Sequence, residues 1–556
     1  MNSVHPYRKA SLITALIVFV FSSLGIGYRH LWQDEVETAD RAQTVLQSGV
    51  PRTIDADGKV SVNAGGLEIE EGALHRYTPW GQFYFAAGGL FAARALGVEK
   101  DAAVRMPFVA AHAAVAGMMT YSLSAFAALP TPWSAAFSIG ISMLTPRLLY
   151  NRTARYHALL DLMLMIGLVG LGGIRTRRPW APYAVGASIF VLPHVQTFAG
   201  SLLALLVAAS YLFVLSENNA DRKAVVKKFL AVAVIPGMIS LFLLLWLIRP
   251  AMHQFWGLPR DFEFMRALKT GRAAIYSLAF LAVLGFYCLA PKHTAKERNA
   301  GMFFFSCIIA VVLCIFMIDK YPFSQMRYYL SVPLFALFLP VVAGFGLARV
   351  DNPPWIWLFF AFFAFTPEFT AGNHRYFQGV RIVLSDWGHA RRGDKQPLHE
   401  AVEHIKTNGR EKQRVLFDYV PQFANWYLPG FQIALMPDAR MMTPLNKDNP
   451  VWREKIEMPD WHVWYPFWGS GVWPQRHSSD FTARNVSADR KFYELYSKRL
   501  NASRKMCVEK VWRVNILNNA PQEEFSSDAF SESGVGEDIM VLGRACGDEK
   551  AKRRKR

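Results

Sequence analysis

Cysteine is scarce in this sequence, with five residues in a chain of 556. Cys288, Cys307 and Cys314 fall in apolar stretches, where cysteine is usually a small core residue. Cys507 and Cys546 stand apart in the hydrophilic C-terminal part. This scarcity excludes a disulfide-rich scaffold. It predicts at most one bridge, between Cys507 and Cys546, which requires that the C-terminal part lie in an oxidising compartment.

The chain also lacks a recognisable nucleic-acid-binding module, although its formal net charge is +18. Much of the basic charge flanks apolar runs, where it orients membrane spans and attracts anionic headgroups or phosphates. We therefore predict a lipid bilayer, and no nucleic acid, as the partner of these residues.

A leader-peptide cleavage site is missing near the N-terminus. Arg8 and Lys9 precede an apolar stretch, as in a signal peptide, but this stretch runs to Tyr28 and bulky residues follow it. We expect that residues 1–28 are kept and contain the first membrane span.

Closely spaced metal ligands are missing as well. His75, His157, His194 and His253 include no pair such as His-x-x-x-His. We therefore predict no metal ion and no other cofactor.

Long apolar runs, by contrast, are abundant. Hydrophobic residues make up 52% of the chain and its mean hydropathy is +0.14, which argues against a purely soluble protein. Runs of roughly 17–25 residues, each long enough to cross the ~30 Å hydrocarbon core as a helix, recur up to residue 370 and then stop. The sequence predicts about eleven transmembrane helices. They lie at residues 11–28, 104–127, 132–150, 156–174, 180–198, 199–215, 228–248, 272–290, 300–318, 330–349 and 354–370.

Basic residues in the short loops indicate the orientation of these spans. With this count they all fall on one face of the membrane, which the positive-inside rule makes cytoplasmic. These loop residues are at positions 8–9, 175–178, 222–228, 292–298 and 349. The N-terminus is then cytoplasmic in a plasma membrane, such as a bacterial inner membrane. Two domains are predicted: a transmembrane domain at 1–371, with a long outer loop at 30–103, and an extracytoplasmic domain at 372–556.

The pattern of the C-terminal part is typical of a small α/β domain. The predicted helices are at residues 399–406 and 422–428, and the predicted strands at 414–420, 432–436, 511–517 and 539–542. The segment at residues 461–468 is unusually aromatic. It is expected to stack on sugar rings, to enter the outer leaflet, or to pack onto the transmembrane domain.

The long outer loop contains its own predicted elements. Residues 35–47 have a helical composition and end at a Ser-Gly-Val-Pro stop signal at 48–51. Residues 53–71 are rich in glycine and aspartate and predict a turn region. Residues 80–97 predict an amphipathic helix at the outer membrane interface.

The motif Leu-Trp-Gln-Asp-Glu at residues 31–35 places two adjacent acids directly after the first span. A carboxylate in this place suits a base that acts on a substrate whose other end is a lipid. The same acids would also stabilise the helix that begins near Asp34, because carboxylates are favoured at helix N-termini. The residues alone leave both interpretations open.

Further motifs follow in order along the chain. They are Tyr-Thr-Pro at 77–79, Ala-Val-Arg-Met-Pro at 103–107, the segment 152–161, and Arg-Tyr-Tyr-Leu-Ser-Val-Pro at 327–333. Together with the acidic pair and the Gly-Val-Pro stop, they resemble the pattern of the GT-C superfamily of glycosyltransferases. The similar branch contains protein O-mannosyltransferases, the lipid A aminoarabinose transferase and rhizobial galacturonosyltransferases. Tyr77 and Thr78 depart from the aminoarabinose transferase pattern, which has an acid and a lysine there, so lipid A specificity is not implied.

The resemblance implies an inverting transfer of a sugar from a polyprenyl-phosphate donor to a hydroxyl of a glycan, lipid or protein acceptor. It implies Asp34 as the base, with Glu35 as a neighbour that tunes the base or positions the acceptor. Arginine would stabilise the phosphate leaving group, because its planar fork matches phosphate oxygens; each candidate would otherwise anchor a helix end. The candidates are Arg327 first, then Arg76, Arg152, Arg155 and Arg260. The candidates for the substrate pocket are His75, Tyr77, His157 and Tyr328.

Two other classes of protein are alternatives to an enzyme. A transporter or flippase of lipid-linked saccharides would show ionisable residues inside spans and inverted repeats. Here the acids cluster in outer loops and no repeat is evident. A membrane scaffold that presents its C-terminal part to a partner would leave Asp34 and Glu35 replaceable.

Overall fold

The structure of the chain, a computed structural model, describes residues 6–31, 33–53, 74–76, 78–125, 130–143, 145–218, 221–256, 378–417, 422–433, 459–464, 506–515 and 537–545. Tyr77, Arg260, Arg327, Tyr328 and Cys546 lie outside these ranges, so the predictions made for them stay predictions. The same holds for the predicted spans between residues 272 and 370.

Contacts divide the chain into two units. The first, the helical unit, comprises residues 1–26, 76–89 and 102–385. The second, the sheet unit, comprises residues 27–75, 90–101 and 386–556. The predicted domain boundary at 371/372 lies outside the described residues.

The described residues up to position 256 are mostly helical. The helices are α1 (Pro6–Ser23), α2 (Gln33–Ser48), α3 (Gly81–Leu96), α4 (Lys100–Ala125), α5 (Thr131–Ser142), α6 (Thr145–Asn151), α7 (Tyr156–Arg175), α8 (Ala181–Val195), α9 (Thr197–Asn218), α10 (Arg222–Phe229) and α11 (Ile235–Trp256). A π-helical turn at Leu230–Val234 joins α10 to α11.

Three helical stretches in the described part of the chain are long and apolar enough to cross a membrane: Lys100–Ala125, Tyr156–Arg175 and Arg222–Leu247. Each contains most of one predicted span. Ala181–Val195 is apolar as well but shorter. The chain is therefore a helical membrane protein, as predicted, whereas the total number of spans stays a prediction.

The first predicted span, residues 11–28, is wrong at its end. Helix α1 ends at Ser23, and the chain then turns through Gly25, whose φ is +62°. Glycine adopts this left-handed conformation without a Cβ penalty and commonly terminates helices. On α1 itself, Leu12 and Leu16 are 72% and 61% exposed, which leaves an apolar face of the kind that lipid covers.

The predicted span at residues 132–150 is interrupted in the structure. Helix α5 ends at Ser142 and helix α6 begins at Thr145. Pro146 explains the break, because proline has no N–H to donate to the carbonyl of Ser142 and its ring clashes with that carbonyl. One continuous apolar run therefore forms two helices.

Three helices approach closely at Gly167, in the middle of α7. Helices α7, α8 and α9 pack against one another. A Cβ built at Gly167 would lie 2.6 Å from Ser188 Oγ of α8 and 3.2 Å from Val207 Cγ1 of α9. The Ser188 hydroxyl donates to the Met163 carbonyl of α7 at 2.8 Å. Small residues at helix contacts in membranes allow this close approach and the hydrogen bonds that accompany it.

The sheet unit contains a mixed five-stranded sheet. After helix α12 (Gln378–Arg392), which extends into both units, the described elements are α13 (Pro397–Asn408), β1 (Arg414–Phe417), α14 (Gln422–Tyr427), β2 (Gln432–Ile433), β3 (Trp461–Trp464), β4 (Met506–Asn515) and β5 (Glu537–Ala545). The strand order is β2-β1-β3-β5-β4. β1 is parallel to β2 and β3, and β5 is antiparallel to β3 and β4. The predicted helices overlap α13 and α14, and the predicted strands overlap β1, β2, β4 and β5, whereas the sequence pattern does not predict α12 or β3.

The aromatic segment at residues 461–468 begins with a buried strand. Trp461 is fully buried, and its Nε1 donates to Gln413 Oε1 at 2.9 Å. The Arg544 guanidinium lies 4.9 Å from the centre of the Trp461 ring. Stacking on sugars or insertion into the outer leaflet is therefore wrong for Trp461, because its ring is buried within the protein.

Cys507 lies in β4, and Arg544 of β5 is its backbone partner in the sheet. Cys546 follows the end of β5 and lies outside the described residues. Their disulfide therefore stays a prediction.

Candidate active site

Helix α2 carries the two predicted catalytic acids. It begins at Gln33, so Asp34 and Glu35 lie in its first turn. Asp34 is partly exposed, whereas Glu35 is fully buried. The Thr38 hydroxyl donates to the Asp34 carbonyl at 2.9 Å within the helix. Of the two acids, only Asp34 therefore presents surface to a substrate in this conformation.

The predicted stop of helix α2 is confirmed. The helix ends at Ser48, and Gly49 follows with a φ of +79°. The Gly49 N–H donates to the Val45 carbonyl at 2.8 Å and closes the last turn. Glycine is favoured here because an L side chain would be strained at this φ.

The structural interpretation of the acid pair is also compatible with this helix. Both carboxylates lie in the first turn, where the helix dipole favours negative charge. The helix-stabilising alternative for Asp34 and Glu35 therefore stays open.

Arg41 organises the buried side of α2 within the sheet unit. Its Nε donates to His75 Nδ1 at 3.2 Å, and its Nη1 donates to the Arg52 carbonyl at 2.9 Å and to Asp40 Oδ2 at 3.3 Å. Arg41 and His75 are both fully buried. Burial, and then the charge of Arg41, hold the pKa of His75 well below its usual value. The neutral imidazole thus supports α2, and its predicted place in a substrate pocket stays a prediction.

The segment that precedes α2 is fastened by polar contacts inside the sheet unit. Arg29 Nε donates to both carboxylate oxygens of Asp386, at 2.9 and 3.0 Å. His30 Nδ1 lies 2.7 Å from Gln396 Oε1. These contacts fix the chain immediately before the acidic pair.

Asp101 is the centre of a second buried set of contacts in the same unit. Trp426 Nε1 donates to Asp101 Oδ1 at 2.7 Å, and the Tyr427 hydroxyl donates to Asp101 Oδ2 at 2.8 Å. His399 Nε2 lies 3.5 Å from Asp101 Oδ2. The Tyr427 oxygen also accepts from the Leu31 N–H at 2.8 Å. Sequence reasoning missed this set, because its members are hundreds of positions apart and no local motif relates them.

In the helical unit, Arg152 contacts the end of the first helix. Its Nε donates to the Ser22 carbonyl at 2.9 Å and its Nη2 to the Leu24 carbonyl at 2.7 Å. Arg105 Nη1 donates to the Ile26 carbonyl at 2.8 Å. The last carbonyls of a helix have no partner inside it, and a guanidinium satisfies them well. These contacts match the helix-anchoring alternative for Arg152.

Arg76 and Arg155, the other described candidates for phosphate binding, are partly exposed. Arg76 Nη2 donates to the Trp246 carbonyl at 2.6 Å, and its guanidinium lies 4.9 Å from the centre of that indole. The Arg155 guanidinium lies 5.5 Å from the Tyr156 ring. His157 is buried, with its ring 4.3 Å from that of Tyr156. Their predicted roles toward a substrate stay predictions.

A buried ion pair joins α6 to α7 in the helical unit. Arg147 Nη2 donates to Asp161 Oδ2 at 2.9 Å, and Asn151 Nδ2 donates to the same oxygen at 3.3 Å. Asn151 Nδ2 also lies 2.9 Å from His112 Nδ1. Sequence reasoning missed this cluster. The signal was present, because Arg147 and Asp161 lie within predicted spans and ionisable residues inside a membrane usually pair.

The described residues contain no group of three or more His, Cys, Asp or Glu side chains that could hold a metal ion. The prediction about metal therefore stays a prediction.

Comparison with solved structures gives several likenesses to this chain. A crystal structure of ArnT from Cupriavidus metallidurans, bound to undecaprenyl phosphate, is similar to this chain with a TM-score of 0.51 and 14% sequence identity. The likeness covers 98% of this chain and 99% of that one. This chain shares its fold with that ArnT structure.

A GT-C fold was predicted from short motifs, and the likeness to ArnT agrees with that prediction at the level of the fold. No protein-family model matches the sequence. No curated protein matches it significantly. At 14% identity the likeness establishes the fold alone, so the reaction has to be argued from the residues of this chain.

Proposed function

We propose that this chain is an inverting glycosyltransferase that moves a sugar from a polyprenyl-phosphate donor to a hydroxyl of an extracytoplasmic acceptor. The observation that carries the proposal is the position of Asp34. Its carboxylate is partly exposed in the first turn of α2, shortly after the first apolar helix, in a chain with the GT-C fold. ArnT, which has the same fold, was crystallised with undecaprenyl phosphate, and this supports a lipid-phosphate donor here.

The proposed chemistry needs one base. The acceptor hydroxyl attacks the anomeric carbon of the donor sugar, and the Asp34 carboxylate takes the hydroxyl proton. A new C–O bond forms to the acceptor while the bond from the anomeric carbon to the phosphate oxygen breaks. The polyprenyl phosphate leaves with that electron pair, and attack opposite to it inverts the anomeric centre.

Asp34 is preferred to Glu35 as the base because of access. A general base must come within hydrogen-bond distance of the proton that it removes. Glu35 is fully buried against the protein, whereas Asp34 is partly exposed. We assign Glu35 to the support of the first turn of α2.

The phosphate leaving group needs cationic partners. Arg155 is a described candidate that is partly exposed, and its guanidinium lies 5.5 Å from the Tyr156 ring. Arg152 ranks below it, since it is buried and donates to two backbone carbonyls. Arg76 is partly exposed but donates to the Trp246 carbonyl. Arg327 and Arg260 remain candidates from the sequence.

The proposed orientation places Asp34 and Glu35 outside the cytoplasm. It rests on the basic loops of the sequence and the positive-inside rule. Labelling of a cysteine introduced at position 34 tests it: label that reaches this cysteine only from the cytoplasm would overturn the orientation. The proposed acceptor is a glycan, lipid or protein of the cell envelope.

The decisive experiment is a transfer assay on the purified full chain in nanodiscs. A panel of radiolabelled polyprenyl-phosphate sugars is offered with an envelope extract as the acceptor source. We expect transfer by the wild type and a loss of roughly 10²–10⁴-fold in kcat for Asp34→Asn, the usual contribution of a general base.

Glu403→Gln is the matched control, because this exposed acid pairs only with Lys395 in the described structure and lies in α13, away from α2 in sequence. Full activity of Asp34→Asn would remove this residue as the base. Failure of the wild type with every donor would overturn the enzyme proposal.

The buried ion pair keeps one alternative in consideration, a flippase of lipid-linked saccharides. Arg147 and Asp161 are ionisable residues within apolar helices, as transporters often show. Movement of a fluorescent lipid-linked saccharide across proteoliposomes, lost in Arg147→Met/Asp161→Leu and kept in Asp34→Asn, would favour this alternative over transfer.

A further inference from the structure

Tyr427 uses both hydrogen-bonding functions of its hydroxyl in the sheet unit. The oxygen accepts from the Leu31 N–H at 2.8 Å, and the hydroxyl donates to Asp101 Oδ2 at 2.8 Å. A phenol has one hydrogen to donate, so these two contacts give it a single orientation. Tyr427 is 4% exposed and Leu31 and Asp101 are fully buried, so water does not compete for either bond.

The residues around Tyr427 hold it in place. Trp426 Nε1 donates to the other carboxylate oxygen of Asp101 at 2.7 Å. The Lys100 ammonium donates to the Trp426 carbonyl and lies 4.4 Å from the centre of the Trp426 ring. Phe423, one turn earlier in α14, stacks on Tyr427 with ring centres 6.0 Å apart. The hydroxyl therefore cannot move toward or away from Leu31 without breaking other buried contacts.

The bond to Leu31 acts on the start of helix α2. Leu31 lies two positions before Gln33, where α2 begins, and three before Asp34. Helix α14 also packs against α2. Arg41, further along α2, is held by its hydrogen bond to His75. A change at Tyr427 is thus transmitted to the backbone that carries Asp34.

We propose that Tyr427 is a positioning residue for Asp34: its hydroxyl joins the Leu31 amide to the Asp101 carboxylate and so fixes the first turn of α2. The C-terminal part of the chain is then required to hold Asp34 in position, in addition to any contact that it makes with an acceptor. The expected effect of Tyr427 on activity rests on the proposed transferase function. Its effect on the order of residues 31–36 does not depend on that function.

The first arm of the test measures amide hydrogen exchange in the full-length chain. Tyr427→Phe removes only the hydroxyl. We expect exchange in peptides covering residues 31–36 to become about 10-fold faster, because a buried amide loses its partner and local opening becomes easier. Exchange in α7, which lies in the helical unit, should not change. Lys510→Gln, which breaks an exposed ion pair with Glu400 in the sheet unit, should leave both regions as in the wild type.

The second arm measures transfer with the donor panel, well below the thermal midpoint of each variant. Tyr427→Phe should lower kcat by about 10-fold and leave KM for the donor within about 2-fold, because misplacement of a base affects the transition state more than binding. In the Asp34→Asn background the same change should cause no further loss, since Tyr427 acts through Asp34. A merely destabilising change would lower both backgrounds alike.

The outcomes separate the two proposals. Unchanged exchange at residues 31–36 in Tyr427→Phe overturns the positioning role whatever the activity. Faster exchange with full kcat, or equal losses in the wild-type and Asp34→Asn backgrounds, overturns the link to Asp34. A wild type that transfers no sugar overturns the proposed function. Hydrogen exchange still decides whether Tyr427 orders residues 31–36. If Tyr427→Phe fails to fold, Asp101→Asn, which weakens the same bridge and keeps the phenol, is measured in its place.

Discussion

The two units of this chain bury a carboxylate in different ways. Asp161, in the helical unit, is paired with Arg147, and two nitrogens of that arginine, Nε and Nη1, have no hydrogen-bond partner among the described residues. Asp101, in the sheet unit, accepts hydrogen bonds from two neutral donors, Trp426 Nε1 and the Tyr427 hydroxyl. At Asp161 a guanidinium lies at hydrogen-bond distance from the carboxylate. At Asp101 the two side-chain hydrogen bonds come from neutral donors, and the partly exposed His399 ring lies 3.5 Å from Oδ2.

The two sites should therefore respond differently to loss of a partner. Removal of one member of a buried ion pair leaves an uncompensated charge, which is the costliest defect that a protein interior can hold. Removal of a carboxylate that is held by neutral donors leaves only unpaired dipoles, which costs less. The following measurements test this contrast on the detergent-solubilised chain.

The largest effect is expected at the ion pair. Asp161→Leu leaves the Arg147 charge buried without its partner and should lower the free energy of unfolding by about 3–5 kcal/mol. The double variant Arg147→Met/Asp161→Leu removes both charges and should be close to the wild type. Thermal and denaturant unfolding of the two variants measures the difference. A single variant as stable as the double one would show that the unpaired Arg147 charge does not destabilise the fold.

A smaller effect is expected at Asp101. Asp101→Asn keeps one acceptor oxygen, so one of the two donors, the Trp426 indole N–H or the Tyr427 hydroxyl, is left buried without an acceptor, at a cost of about 1–3 kcal/mol. Asp101→Ala removes both acceptor oxygens and should cost more than Asp101→Asn. The same unfolding assay applies, and equal losses for Asn and Ala would show that acceptor capacity does not explain the stability of this site.

The His75 imidazole should make the stability of the chain depend on pH. Its pKa is held below the usual 6.5 by burial and by the Arg41 charge, so it is neutral in the folded chain. Below pH 6.5 the unfolded chain binds a proton at this residue and the folded chain does not. Stability is therefore fully present above that pH and falls as the pH decreases, with a slope of up to about 1.4 kcal/mol per pH unit. His75→Gln, which retains an acceptor for Arg41, should flatten this part of the stability profile between pH 6.5 and 5; an unaltered slope would assign the acid sensitivity to another group.

The smallest effect is expected for an exposed ion pair. Lys395 Nζ lies 2.7 Å from Glu403 Oε1, but the side chains are 51% and 56% exposed. Lys395→Ala should change the free energy of unfolding by about 0–1 kcal/mol, because water screens the pair and already solvates both ions. A loss as large as that of Asp161→Leu would mean that burial does not set the ranking.

Local elements were predictable where the signal lies in neighbouring residues. The start of α2 near Asp34 and its end at Gly49 follow from an acid-rich first turn and a glycine with positive φ, which act over one turn of helix. The span at Tyr156–Arg175 follows from its length and apolar composition. The break before Pro146 was predictable in principle from its missing N–H, but apolar composition concealed it.

The candidate site was predictable only in part. The motif at residues 31–35 indicates two acids, and only the structure separates a partly exposed Asp34 from a buried Glu35. The same limit applies to Arg152, whose sequence position indicates a cation near the membrane surface. Its bonds to the carbonyls of Ser22 and Leu24 depend on where the first helix ends.

The membrane helices, and an acidic pair at the start of a helix after the first apolar segment, follow from the amino-acid sequence. These properties depend on composition and on residues within a turn or two of each other. Which acid is accessible, and that Tyr427 contacts both Leu31 and Asp101, follow from the packing of the folded chain. Such contacts join residues hundreds of positions apart, and they arise from the packing of whole elements, for which no local pattern in one sequence exists.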